Sequence, residues 1–132
     1  GKAITFGLLG DKPYLGLSGN PAAAYVGFEM LARPAIRKMR GFAEGARPVQ
    51  QATLTHGVKK RQHRRFFDRA TVLRDPETGE LLVTEAKTQN SALLGTMQRA
   101  NCLLRIDEGP CELKAGDVVD VVRVDLPEDA VL

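Results

Sequence analysis

Leu15-Gly16-Leu17-Ser18-Gly19-Asn20-Pro21-Ala22-Ala23-Ala24 is an apolar run that breaks at two glycines and an Asn-Pro pair and then opens into helical sequence. The order reads strand, tight turn, helix. Asn20 is a good N-cap, and Pro21 suits the first helical position, where its missing N–H would have had no partner in any case. Gly16 and Gly19 let backbone pass close to a ligand, and the helix start adds the positive end of its dipole, so an anion is a natural guest. The plain alternative is a turn that only joins two packed elements. Two sharper motifs fail. A nucleophile elbow wants glycine two residues after the serine, where Asn20 stands, and no Lys-Ser/Thr pair follows the glycines as in a nucleotide-triphosphate loop.

Working outward, Ile4 and Phe6 alternate with smaller residues, Gly10-Asp11-Lys12-Pro13 supplies turn chemistry, and Tyr14–Leu17 returns as a second strand. A β-hairpin therefore leads into the turn. Beyond it, Ala24, Phe28, Leu31, Ala35 and Met39 recur at helical spacing and form a face made to be buried. Pro34 predicts a kink or two consecutive helices, and Arg37, Lys38 and Arg40 before Gly41 predict a glycine-capped C-terminus. One hairpin and one helix cannot cover each other, so residues 1–41 read as the closing unit of a larger α/β domain. Gly1 looks like a cut end.

Residues 42–48 have the small, Gly/Pro-containing composition of a hinge, and a second domain is expected over 47–132. Its candidate strands are 49–55, 66–73, 81–86, 102–106 and 118–124, with a short helix begun by Asn90 or Ser91 that carries Leu93, Leu94, Met97 and Ala100. The expected fold is thus a mixed α/β fragment followed by a mainly-β domain, a small, partly open β-barrel.

The chain has 132 residues, 43% of them apolar, and a formal net charge of +3, enough for one ordinary core or two small ones. No apolar run approaches the roughly 20 residues needed to cross a bilayer, and the N-terminus lacks the pattern of an export signal. Cys102 and Cys111 are too few for a zinc site and read as reduced thiols in the cytoplasm. Lys59, Lys60, Arg61, Arg64 and Arg65 crowd together with His63, as a solvated edge or a phosphate contact. Only Phe66 and Phe67 offer nearby stacking surfaces, which argues against nucleic acid.

These residues resemble the C-terminal third of the MoeA/gephyrin family, the molybdopterin molybdotransferases. Gly1-Lys2 before Ile4-Thr5-Phe6-Gly7 is similar to the end of the family's Pro-Gly-Lys-Pro segment, and Gly16–Ala24 to its Leu-Pro-Gly-Asn-Pro-Val-Ser-Ala turn. Arg33-Pro34-Ala35-Ile36-Arg37-Lys38, Gln89-x-Ser91-x-x-Leu94-x-x-Met97-x-x-Ala100-Asn101 and Ala115-Gly116-Asp117-Val118 resemble further family motifs in order. Ala3, Ser18 and Ala23 depart from the pattern.

The resemblance implies that 1–41 closes the molybdopterin-binding α/β domain and that 47–132 is the family's last, barrel-like domain. It implies a homodimeric enzyme that converts adenylylated molybdopterin and molybdate to molybdenum cofactor and AMP with Mg2+. Lys2 would contact anionic substrate, and Ser18, Gly19, Asn20 and Pro21 would line the pocket. Arg61, Arg64, Arg65, Gln89 and Ser91 would reach substrate from the partner subunit, unless Gln89 and Ser91 only cap a helix. The catalytic and metal-binding groups are expected in an absent N-terminal portion, which leaves this fragment inactive and without a bound metal. A non-catalytic binding or assembly module is the competing function.

Overall fold

The computed structural model describes residues 3–89 and 95–132. Gly1, Lys2, Asn90, Ser91, Leu93 and Leu94, all named above, lie outside the described residues. Strands β1 (Thr5–Leu9) and β2 (Lys12–Gly16) form the expected antiparallel hairpin. Helix α1 (Pro21–Gly27) follows, and a π-helical stretch (Phe28–Ala32) carries it without a break into α2 (Arg33–Met39). The π stretch explains why Pro34 does not end the helix. The Arg33 N–H reaches back five residues to the Phe28 carbonyl, and this wider turn precedes the ring that would otherwise crowd the carbonyl four residues earlier. Gly41, at φ +85°, closes the helix as a left-handed cap.

The second part is all but wholly β: β3 (Val49–Leu54), β4 (Val58–Lys60), β5 (Phe66–Arg74), β6 (Leu81–Glu85), the short α3 (Gly95–Arg99), β7 (Cys102–Ile106), β8 (Cys111–Leu113) and β9 (Val118–Arg123). Five of these close into a barrel in the order β3-β6-β5-β7-β9. The expected partly open barrel is therefore corrected to a closed one. Closure follows because β9 runs antiparallel along β3 for five pairs while β3 also meets β6 in parallel at Thr53 and Leu54. Strand β5 is long enough to serve two neighbours, pairing with β7 over Phe66–Ala70 and with β6 over Ala70–Arg74.

Alternation fills the interior with Ala52, Leu54, Ala70, Val72, Val83, Cys102, Leu104, Ile106, Val119 and Val121. Burying a Leu or Ile of this kind contributes about 1.5–3 kcal/mol. β4 and β8, too short to stand out in the sequence, pair with each other and add Val58, Cys111 and Leu113 to the core. On the other face of the wall, Arg69, its cross-strand partner Leu103 and Val122 beyond it form a second buried row.

Helix and barrel are tied by charge. The Arg47 Nε donates to Glu29 at 2.9 Å and its NH1 to the Leu126 carbonyl at 2.8 Å. Glu128 receives Arg33 at 2.5 Å and Arg37 at 3.4 Å. The hydrogen bond from Arg33 holds the Glu128 carboxyl below the usual carboxylate range. The apolar stripe of the helix stays open: Leu31 is 48% and Met39 69% exposed, and with Ile4, Phe6 and Leu15 they line a groove of about 570 Å3.

Candidate functional site

A crevice of about 380 Å3 runs between the helix and the barrel. Ala22, Ala23 and Val26 form one wall, and their small side chains leave the space. Arg64–Arg69 and Gln89 form the other.

The turn that opens the helix sits beside this space. Asn20 Oδ1 accepts from the N–H groups of both Ala22 and Ala23 at 3.2 Å, the Asn20 carbonyl takes the Ala24 N–H at 2.9 Å, and the Asn20 N–H donates to Ser18 Oγ at 3.3 Å. Asn20 is therefore the cap that the sequence suggests, and by capping it engages the Ala22 and Ala23 amides at the start of the helix. Gly19 is exposed with open space around it, while Ala22 and Ala23, just past Pro21, reach the crevice.

Positive charge comes instead from the barrel side. Arg64 and Arg65 line the crevice; Arg61 is exposed and not part of its lining. Arg65 is partly balanced by Glu108 at 3.1 Å and Asp107 at 3.7 Å. Arg69, absent from the sequence-based candidates, is buried to 2% exposure. Its NH1 donates to Thr96 Oγ1 at 2.6 Å. A signal was present: Asp68 and Arg69 place charges on both faces of a strand whose neighbours are apolar, which a barrel wall tolerates only where the charges are held.

Gln89 has a role not foreseen. Its carbonyl oxygen accepts the Arg69 backbone N–H at 2.9 Å, and its amide nitrogen donates to the Arg69 carbonyl at 2.9 Å. Asn101 does the same for Val72, accepting from its N–H at 2.8 Å and donating to its carbonyl at 2.9 Å. Both side chains continue the ladder of β5 where β6 and β7 no longer reach, pairing the Arg69 N–H and both backbone groups of Val72. The sequence suggests that Gln89 either caps a helix or touches substrate; within the chain its amide is committed to β5.

Lys60 also departs from a solvated edge. It is 3% exposed, its ammonium donates to the carbonyls of Arg64 and Asp107, and it lies 5.2 Å from the centre of the Phe66 ring. Asp68 shares the inward alternation of Phe66, Ala70 and Val72, and Glu85 that of Leu81 and Val83. Burial, then the hydrogen bond and charge of Glu85, push the Asp68 carboxyl up to about 7, against the pull of Arg69 and Lys60. His56 accepts the Glu85 N–H through Nε2 and contacts the Gly57 carbonyl through Nδ1, both at 2.9 Å, which fits the neutral ring with its proton on Nδ1. Both cysteines are free thiols, and burial pushes the Cys102 thiol up to about 12. Among the described residues no helix is long and apolar enough to cross a membrane.

Comparison with known proteins agrees with this architecture. A family described as the MoeA C-terminal region (domain IV) matches residues 51–124. Molybdopterin molybdenumtransferase 1 of Mycobacterium tuberculosis is 33% identical over 126 residues, 92% of this chain and 30% of that protein. Molybdopterin molybdenumtransferase of Staphylococcus aureus is 30% identical over 122 residues, 92% of this chain and 29% of its own length. Among solved structures, a molybdopterin biosynthesis MoeA protein from Pyrococcus horikoshii superposes with a TM-score of 0.71 at 25% identity, covering 94% of this chain and 29% of that one. The chain thus spans about 30% of the length of the curated relatives it matches.

Proposed function

Since the chain belongs to the family of the MoeA C-terminal region (domain IV), we propose that it works as the terminal part of a molybdopterin molybdotransferase in molybdenum-cofactor biosynthesis. In this reading adenylylated molybdopterin and molybdate are converted to molybdenum cofactor and AMP by a homodimeric cytoplasmic enzyme. The observation that carries it for this chain is the crevice, where Arg64, Arg65 and Phe67 line the side opposite Ala22 and Ala23. Arginine forks suit phosphate oxygens, and a flat ring suits a heterocycle.

The residues of this chain bind and orient. Arg64 and Arg65 neutralise the phosphate bridge, Arg69 stiffens the wall through Gln89 and Thr96, and Ala22 and Ala23 let the substrate approach the capped turn at Ser18, Gly19, Asn20 and Pro21. Lys2 and Ser91 join as further contacts. Mg2+ belongs to the reading of the whole enzyme. Among the described residues, however, no group of three or more His, Cys, Asp or Glu is placed to hold a metal, so no step here passes through it. The remaining groups are supplied by other parts of a longer polypeptide, and this chain alone does not turn over. The open stripe of Phe28, Leu31, Ile36 and Met39 then packs against further strands of the same α/β unit. That stripe is also what favours the second reading, an assembly module with no chemistry of its own.

The test is a chimera in which this chain replaces the matching segment of the Mycobacterium tuberculosis relative, assayed for molybdate-dependent release of AMP. The double variant Arg64→Ser/Arg65→Ser, at exposed positions, is expected to lose at least about tenfold in kcat/KM, roughly 1.4 kcal/mol of binding per decade. Full activity in that variant refutes the crevice as the substrate site, and a folded but inert chimera favours the assembly module.

A further inference from the structure

The segment 61–65, between β4 and β5, forms no strand of its own, and a connection of this kind is ordinarily more mobile than the elements it joins. Here its main chain is held at two successive carbonyls. The His63 carbonyl accepts the Gly109 N–H at 2.9 Å, and the Arg64 carbonyl accepts from the Lys60 ammonium, which also donates to the Asp107 carbonyl. One buried side chain thus joins the loop to the turn that follows β7. Among the described residues Lys60 has no carboxylate within ion-pair distance. An ammonium enclosed in this way costs stability that an apolar side chain of similar length would not, so the barrel alone gives no reason for it.

The loop does. Arg64 lines the crevice, is exposed, and makes no ion pair among the described residues, whereas the head of Arg65 is tied back to Glu108 and Asp107. Arg64 therefore combines a fixed main chain with an uncommitted guanidinium, which is what a preorganised anion receptor needs.

We propose that Lys60 is a positioning residue for the crevice: through the Arg64 and Asp107 carbonyls it holds Arg64 where the guanidinium meets an anionic group, without touching that group itself. This rests on the reading of the crevice as an anion site. The ammonium lies beneath the loop, 5.2 Å from the centre of the Phe66 ring, and Lys60 is not part of the crevice lining. Its share of anion affinity passes through Arg64. Without it, residues 61–65 part from the 107–109 turn, and an anion must order the loop as it binds. The coupling runs both ways, so a bound anion strengthens the tie by the factor by which the tie strengthens the anion.

The experiment is NMR of the 132-residue chain with inorganic pyrophosphate as the probe, at one fixed pH and ionic strength so that His63, in the same segment, keeps one charge state throughout. Hydrogen exchange of the Gly109 amide and the Lys60 ammonium reports the tie. Lys60→Met is expected to weaken pyrophosphate about tenfold, within the range of coupling in one hydrogen-bonded network, and to speed Gly109 exchange by more than it speeds that of Leu104 and Val121 in the barrel. In an Arg64→Ser background the same substitution is expected to change affinity by less than about twofold. In the wild type, saturating pyrophosphate is expected to slow Gly109 and Lys60 exchange, a measurement that decides the matter even if Lys60→Met does not fold. Full affinity in Lys60→Met overturns the positioning role. A loss equally large in the Arg64→Ser background shows the ammonium acting as a direct charge and also overturns it, as does wild-type exchange that bound pyrophosphate leaves unchanged. No pyrophosphate bound by the wild type, with Gly109 exchange faster in Lys60→Met, overturns the anion reading of the crevice and leaves Lys60 standing as the tie between the two loops.

Discussion

Replacing Asn101 by alanine removes a side chain that touches no proposed ligand, yet the barrel is expected to suffer. Asn101 gives Val72 both halves of a strand partner, at 2.8 and 2.9 Å, and Val72 is 3% exposed, so water cannot easily take over. Leaving a buried donor or acceptor unsatisfied costs about 1–3 kcal/mol each, so two of them cost roughly 2–6 kcal/mol. With a urea dependence of about 2 kcal/mol per molar, the midpoint should fall by about 1–3 M at unchanged slope. Asn101→Asp keeps an acceptor for the Val72 N–H but sets an oxygen against its carbonyl, and should fall between alanine and wild type or below both. Hydrogen exchange at the Val72 amide gives a local check, since it should accelerate in Asn101→Ala. A loss under about 0.5 kcal/mol, within the range of ordinary surface substitutions, would refute the account of Asn101 as a surrogate strand.

Other expectations are more direct. Glu128→Gln should destabilise by about 2 kcal/mol, less than the 3–5 typical of a fully buried pair because Arg33 and Arg37 keep partial exposure; urea melts measure it. Asp68 holds its proton more tightly in the folded chain, up to about 7 against 3.8. Its contribution to stability is therefore fully present below 3.8 and is lost as pH rises through about 7. Melts across that range should show the decline, and Asp68→Asn should flatten it. Asn20→Ala frees the Ala22 and Ala23 amides and should cost about 1 kcal/mol, read by thermal unfolding. Leu104→Ala, in the centre of the barrel, should cost about 2–5 kcal/mol and lower the midpoint accordingly.

Five barrel strands could be located from alternation and turn residues because each has a buried face on which apolar residues recur, such as Ala52 and Leu54, Ala70 and Val72, or Val119 and Val121. Val58-Lys59-Lys60 could not, since one of its two inward residues is a lysine, and a buried ammonium reads in sequence as a surface charge. Arg69 is an intermediate case: the adjacent charges of Asp68 and Arg69 in an apolar strand mark it as held, but what encloses it is known only once Leu103 and Val122 lie beside it. Asn20 shows the opposite case. Its capping role is written in the order Asn-Pro-Ala, but whether a cap leaves amides for a guest depends on a side-chain torsion that sequence does not specify. Gln89 and Asn101 stand out as a motif, yet their task depends on where β6 and β7 stop, a property of barrel closure.

A π stretch can be viewed as an ordinary helix into which one surplus residue has been inserted. Deleting a single position between Phe28 and Ala32 would let the spiral return to its regular pitch with the downstream face nearly unchanged, because the wider turn already absorbs the surplus residue. Were the same residues wound at regular pitch instead, Arg33 and Arg37 would turn by about 100° away from Glu128 even though neither had been altered. The wider turn thus sets the angle at which the helical arm meets its barrel.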